Sequence, residues 1–203
     1  MSDTRYAMGD MPIWRGDLGY SDLLDRQEVP KHDLRFEVLG SLDEASSALG
    51  LARVMETSAE AKALILDTQR DLCWMMSELA AESNDAARPT HITDKRVNWL
   101  DGHFQALIAR HPLGQGFVVP GDSPAGATLH LARSIVRRAE RNVTQLHAER
   151  PLPNPNIIVY LNRLSALLYV LARAEDSVAG VSAPTPAKPA LSNAEGPAPN
   201  GHQ

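Results

Sequence analysis

Apolar residues return at alternating steps of four and three in five stretches of the chain. Between about 33 and 57, Val38, Leu42, Ala45, Leu49 and Ala52 fall on one helical stripe. Ile65, Leu72, Met75 and Leu79 form a second. The third is shorter and more polar, with Val97, Leu100, Phe104 and Leu107, and its start is set by Thr93 or Asp94. Leu129, Ala132, Val136, Ala139, Val143 and Leu146 make the fourth. Ile157, Leu161, Leu164, Leu168 and Leu171 make the fifth, which follows a helix-compatible "PNPN". Strand patterns are nearly absent: "GFVVPG" is short and closed by proline and glycine, so it reads as an ordered loop. The pattern predicts an all-α fold, a five-helix antiparallel bundle.

Loss of the pattern marks the ends. Residues 1–11 read as a flexible N-terminus, and 179–203, rich in proline and alanine, as a disordered tail with little to bury. Between them, 12–178 is one domain, of a size at which a single buried core is ordinary. Its first part, 12–32, lacks helical periodicity, but "RGDLGYSD" and "VPKHD" carry the glycine, proline and aspartate punctuation of an ordered loop that serves a site. A formal net charge of -5 argues against a nucleic-acid partner, which needs a basic surface. Cys73 is the only cysteine, so neither an internal disulfide nor a cysteine-based zinc site is available, and the histidines show no metal-ligand spacing. "MSDTRYAMGD" lacks the basic and apolar regions of a signal peptide, and no apolar run reads as long enough to span a bilayer. A cytoplasmic protein with no membrane partner is expected.

Against this acidic background the fourth helix concentrates positive charge. "LHLARSIVRRAERNV" puts Arg133, Arg137 and Arg141 four residues apart in one row beside the apolar seam, with Arg138 displaced around the helix. Two readings stand: a solvated face, with Arg137 paired to Glu140, or an anion site, because guanidinium forks grip polyphosphate and carboxylate oxygens bidentately. In "GSLDEASSALG", Asp43 lies at the edge of a seam, where it is either solvated or paired with a cation from the facing helix, Arg133 being the candidate. Asn162 in "YLNRLS" sits beside a buried stripe, where its amide either closes a core network or bonds a ligand. His130, Trp74, Met75 and Met76 read as packing residues.

Taken together, "GFVVPG", then "LHLARSIVRRAERNV", then "YLNRLSALLYVLAR" resemble the PduO-type ATP:cob(I)alamin adenosyltransferases in order and spacing. Upstream, "GDLGYSDLLDRQEVPKHDLRFEVLGSLDE" is similar to that family's glycine-rich loop and first helix, with matches at Gly16, Asp17, Gly19, Val29, Pro30, Lys31, Asp33, Arg35, Gly40, Asp43 and Glu44. The resemblance covers residues 12 to 177. It implies a homotrimer of five-helix bundles that binds ATP between subunits, with Mg²⁺, and cobalamin beside it as a substrate. The 5′-deoxyadenosyl group of ATP moves to the cobalt of cob(I)alamin, giving adenosylcobalamin and triphosphate. Implied partners beyond the substrates are a cobalamin-dependent enzyme or a Co(II) reductase. By resemblance Arg137 contacts the triphosphate, Arg133 pairs with Asp43 at the subunit interface, and Asn162 contacts the nucleotide. Gly16, Asp17 and Gly19, with Lys31, belong to the nucleotide loop, and Phe117 packs on the corrin face.

The chain departs from the family pattern in "IWRGDLGYSD". Arg15 stands at the usual threonine position, Trp14 at the usual basic one, and Tyr20 with Ser21 at the hydroxyl pair. Arg15 either restores the missing charge, as a nucleotide contact beside Ser21, or fills the pocket. Asp25, Arg26 and Gln27 replace flexible glycines nearby. Two readings follow: an adenosyltransferase with a divergent loop, or a catalytically degenerate member that binds cobalamin or nucleotide as a carrier, sensor or structural trimer.

Overall fold

The computed structural model describes residues 14, 16–55, 58–81, 89–114 and 116–187. Five helices form where the periodicity places them: α1 (Leu34–Met55), α2 (Ala59–Leu79), α3 (Asp94–Arg110), α4 (Pro124–Glu149) and α5 (Asn156–Val178). All the stripe residues named above are buried except Phe104, which packs half-buried against the core. A small antiparallel hairpin precedes them, β1 (Tyr20–Ser21) with β2 (Val29–Pro30), Tyr20 facing Pro30 and Ser21 facing Val29. Strands this short carry no readable period, so the sequence pattern does not signal them.

Helices α1, α2 and α4 start where a side chain supplies an acceptor. Asp33 Oδ1 accepts the Arg35 N–H at 2.8 Å, Ser58 Oγ the Ala61 N–H at 3.0 Å, and Ser123 Oγ the Gly126 N–H at 2.9 Å, with Pro124 opening α4. Helix α4 packs on both α1 and α5 and runs antiparallel to each. Against α1 its register is set by Arg150 on Asp33 at 3.1 Å, Asn142 on Glu37 at 3.4 Å, and Arg138 on Glu44. Against α5 it is set by Ser123, which donates to Asp176 at 2.6 Å. About two turns on, the His130 ring meets Tyr169 edge-on at 5.7 Å. Elsewhere Asp71 ties α2, α3 and α5 together, accepting Arg96 Nε at 2.6 Å and the Tyr160 hydroxyl. Burial pushes the Asp71 carboxyl above its usual range, against the opposing pull of Tyr160 and Arg96.

Three expectations change. By length and composition α5 is an apolar run long enough to cross a bilayer, with 23 residues and a mean hydropathy of 1.4 in its most apolar window. Of that window 61% is buried, and the apolar surface packs against α3 and α4. Trp74 is half-exposed and stacks on His91 at 3.9 Å, whereas neighbouring Met75 is buried. Residues 181–187, read as part of a disordered tail, are hydrogen-bonded: Val181 N–H donates to the Asp176 carbonyl at 2.9 Å, and 185–187 lie along the loop before α4. Composition does not reveal this because backbone pairing requires no apolar side chain.

Two substitutions test the packing. A Cβ on Gly126 would stand 2.1 Å from Asp176 Oδ1. Gly126→Ala gains helix propensity but overpacks the α4–α5 contact, and a net loss of roughly 1–2 kcal/mol in urea unfolding is expected. Tyr160→Phe removes the hydroxyl that serves the buried Asp71 carboxylate. It should cost about 1–3 kcal/mol at neutral pH. Because the Tyr160 hydroxyl favours the charged carboxylate, its loss raises the folded Asp71 carboxyl further, and the variant's folded state holds the proton more tightly. The deficit should therefore shrink as pH falls through that raised value, which unfolding curves collected across the acid range will show.

Candidate functional site

The glycine-rich loop is held by its own backbone. Gly16 and Gly19 have φ of 106° and 82°, in the left-handed region that favours glycine. The Gly19 N–H donates to the Gly16 carbonyl at 3.2 Å, and the Gly19 carbonyl accepts the Lys31 N–H at 2.8 Å. Lys31 Nζ lies 3.2 Å from where a Cβ on Gly16 would stand, so the bare glycine makes room for the ammonium. The Asp17 carboxylate accepts the Trp14 N–H at 2.7 Å and the Asp17 N–H donates to the Trp14 carbonyl at 3.0 Å. Asp17 thus fixes the turn's shape. Ser21 is half-buried in β1. Arg15 lies outside the described residues.

The arginine row divides along α4. Arg137 is exposed and its guanidinium makes no hydrogen bond or ion pair among the described residues, while its carbonyl accepts Arg141 Nη1 at 3.1 Å. Arg138 is taken by Glu44. Arg133 is half-buried, and its Nε has no hydrogen-bond partner. Burial, then the neighbouring Arg137, push the Arg133 guanidinium below its ordinary value, with Tyr169 opposing. Two cations are therefore held close, one of them partly desolvated, which is the arrangement an anion relieves. The surface pair of Arg137 with Glu140 does not form.

Within one chain Arg133 and Asp43 make no ion pair, and of the two readings of Asp43 inside its own chain the solvated one holds; the pair that the resemblance implies lies between subunits. The α1–α4 register explains this. Glu44 meets Arg138, so Asp43 lies close to that level and exposed, while Arg133 is five residues further along α4, about 7.5 Å away along the axis. Asn162 is also exposed, next to the buried Leu161; its carbonyl accepts the Ser165 hydroxyl at 2.8 Å. The register against α5 nevertheless gives it a place. Ser123 meets Asp176, and about two turns on His130 meets Tyr169; about two turns further, Arg137 comes level with Asn162. Arg133 thus interacts with both Arg137 and Tyr169, and the register brings Asn162 level with Arg137 along the axis.

Phe117 stands on the loop before α4 with 88% of its surface exposed. The glycine-rich loop is joined to the other end of the bundle, where Leu24 N–H bonds the Ala80 carbonyl at 2.9 Å and Arg150 of the α4 C-terminus holds Asp33. Helix α4 has 26 residues and spans roughly 39 Å. One chain thus places the two predicted halves of the site at opposite ends of one helix.

Sequence reasoning missed the group that anchors the Phe117 loop. Asp176, buried on α5, accepts Ser123 Oγ and the Arg173 guanidinium, and Arg173 also reaches Asp122 at 3.8 Å. The signal was available: an aspartate inside an apolar helix needs a partner, and the small residue Gly126 marks a close approach. His130 is buried as expected for packing, with Nδ1 lacking a partner; burial, then Arg133, hold its pKa below the usual value.

Residues 13–175 match the family model described as cobalamin adenosyltransferase. The corrinoid adenosyltransferase PduO of Citrobacter freundii is 36% identical over 162 residues, 79% of this chain and 48% of that protein. The corrinoid adenosyltransferase of Mycobacterium tuberculosis is 35% identical, covering 78% of this chain and 84% of its own. The chain spans about half the length of the first curated relatives it matches. Among solved structures, a variant PduO-type ATP:corrinoid adenosyltransferase from Lactobacillus reuteri, complexed with cobalamin and ATP, superposes with a TM-score of 0.76. It is 25% identical, with 82% of this chain and 90% of that chain covered.

The paired cations predict that inorganic triphosphate, added alone, stabilises the fold by about 2–3 kcal/mol at a hundredfold excess over its dissociation constant, read as a rise in unfolding temperature. Sodium chloride at matched ionic strength should give no comparable rise.

Proposed function

Since the chain belongs to the cobalamin adenosyltransferase family, we propose that it transfers the 5′-deoxyadenosyl group of ATP to the cobalt of cob(I)alamin. The observation that carries this reading is the pair Arg133 and Arg137, close together on one seam, with the Arg133 Nε buried and unpartnered and Asn162 level with Arg137. The Co(I) electron pair forms the cobalt–carbon bond as the C5′–oxygen bond breaks, and the bonding pair leaves on triphosphate. The nucleophile belongs to the substrate, so the protein's work is to position the reactants and stabilise charge. Arg137, exposed on the seam, takes the triphosphate oxygens, and Arg133 adds a second positive charge as the leaving group develops its own. Mg²⁺ dehydrates reluctantly and binds through substrate phosphates, so it would be held mainly by the triphosphate.

Phe117 supplies the apolar ring for the preceding step. Packed on the corrin face where the lower axial ligand sits, it displaces that ligand and makes Co(II) easier to reduce. The reading includes a homotrimer in the cytoplasm. The separation of the glycine-rich loop from Phe117 supports it, because a neighbouring copy can bring its Gly16, Gly19 and Lys31 to the arginine row. Asp43, exposed and without an ion pair in its own chain, is then free to meet Arg133 of the neighbouring copy.

Mixing the protein with ATP, Mg²⁺ and chemically reduced cobalamin should yield adenosylcobalamin, followed by its absorbance. Arg137→Ala should lower kcat/KM by about a hundredfold or more with unchanged circular dichroism. Phe117→Ala should slow reactions started from Co(II) more than those supplied with Co(I). Absence of product from the unaltered protein with saturating Co(I) overturns the proposal, and ligand binding without turnover would then favour the carrier or sensor reading.

A further inference from the structure

The segment after α5 lies on the loop that carries Phe117. Glycines in the left-handed region bracket the apolar part of that loop, Gly116 at φ 96° and Gly121 at φ 126°. They let the chain turn and leave it able to swing. Among the described residues, 112–121 make two backbone hydrogen bonds, and both go to the tail. The Val119 N–H donates to the Thr185 carbonyl at 2.8 Å, and the Ala187 N–H donates to the Phe117 carbonyl at 2.9 Å. They flank an antiparallel bridge between Val118 and Pro186. A proline fits there because the facing residues of such a pair point their own N–H groups away from each other.

Thr185 is itself held. Its N–H and Oγ1 donate to the Asp122 carboxylate at 3.0 and 2.6 Å, and its hydroxyl, then its N–H, keep that carboxyl below the usual range. Asp122 is steadied by Arg173, which also pairs with Asp176 on α5. Contacts therefore run without a break from the bundle through Asp122 and Thr185 to the backbone on both sides of Phe117. The exposed ring has little packing of its own to hold it.

We infer that Thr185 is a positioning residue for Phe117, with 185–187 acting as a clasp that fixes where the ring stands. The inference rests on the reading of Phe117 as the corrin-facing ring. The experiment compares the full chain, Thr185→Val, a chain ending at Pro184, Phe117→Ala, and Phe117→Ala combined with each of the other two. Amide exchange at Val119 reports the clasp, and product formation from Co(II) and from Co(I) reports the ring. Shortening the chain should speed Val119 exchange about tenfold or more, and Thr185→Val should speed it severalfold. Both should slow the Co(II)-started reaction severalfold, leave the Co(I)-started rate and the KM for ATP near those of the full chain, and add nothing to Phe117→Ala. Unchanged Val119 exchange, equal losses from Co(II) and Co(I), or losses that multiply with Phe117→Ala would each overturn the clasp while the transferase reading stands. A full chain that protects Val119 but forms no product would overturn the transferase reading, and the positioning role with it.

Discussion

Asp176 reaches Ser123 across the bare backbone of Gly126, and this contact sets where α4 lies along α5. A buried carboxylate is costly unless it is bonded, and here the helix cap of α4 and the guanidinium of Arg173 both serve it. Once that end is fixed, the repeat of the helix does the rest. His130 comes against Tyr169, and Arg137 level with Asn162. The arginine row owes its level along α5 to a contact that begins ten residues before it.

Much of the fold was legible in the sequence because it depends on periodicity. The stripe of α4 from Leu129 to Leu146 is buried throughout, and α3 starts at Asp94 with Thr93 in the N-cap position. The hairpin of β1 and β2 and the pairing of 185–187 were not legible, since both consist of backbone hydrogen bonds between segments without a repeating apolar pattern. The apolar length of α5 was also misjudged, because an interior helix and a bilayer-spanning one share a composition.

The site was legible in part. The row at Arg133, Arg137 and Arg141 could be seen, but its division could not, because that depends on which arginine the α1 register brings to Glu44. Asp43 and Glu44 are adjacent in sequence, and a helix turns adjacent residues about 100° apart, so one finds a cation in its own chain and the other faces out. Asn162 was placed near the core by its apolar neighbours, while the turn of α5 carries it to the surface. The glycine-rich loop and Phe117, candidate halves of one site, lie at opposite ends of α4 within one chain, a separation that residue spacing along the sequence does not reveal.

Pro186 has a consequence on its other side. In the bridge with Val118, the facing residues direct their N–H groups outward, so the outer edge of the tail segment is where a strand from another molecule would seek a donor. Proline offers none. The segment can lie against its own loop through Thr185 and Ala187, yet it presents a poor template for further strand addition, which protects an exposed edge from drawing other chains into aggregates.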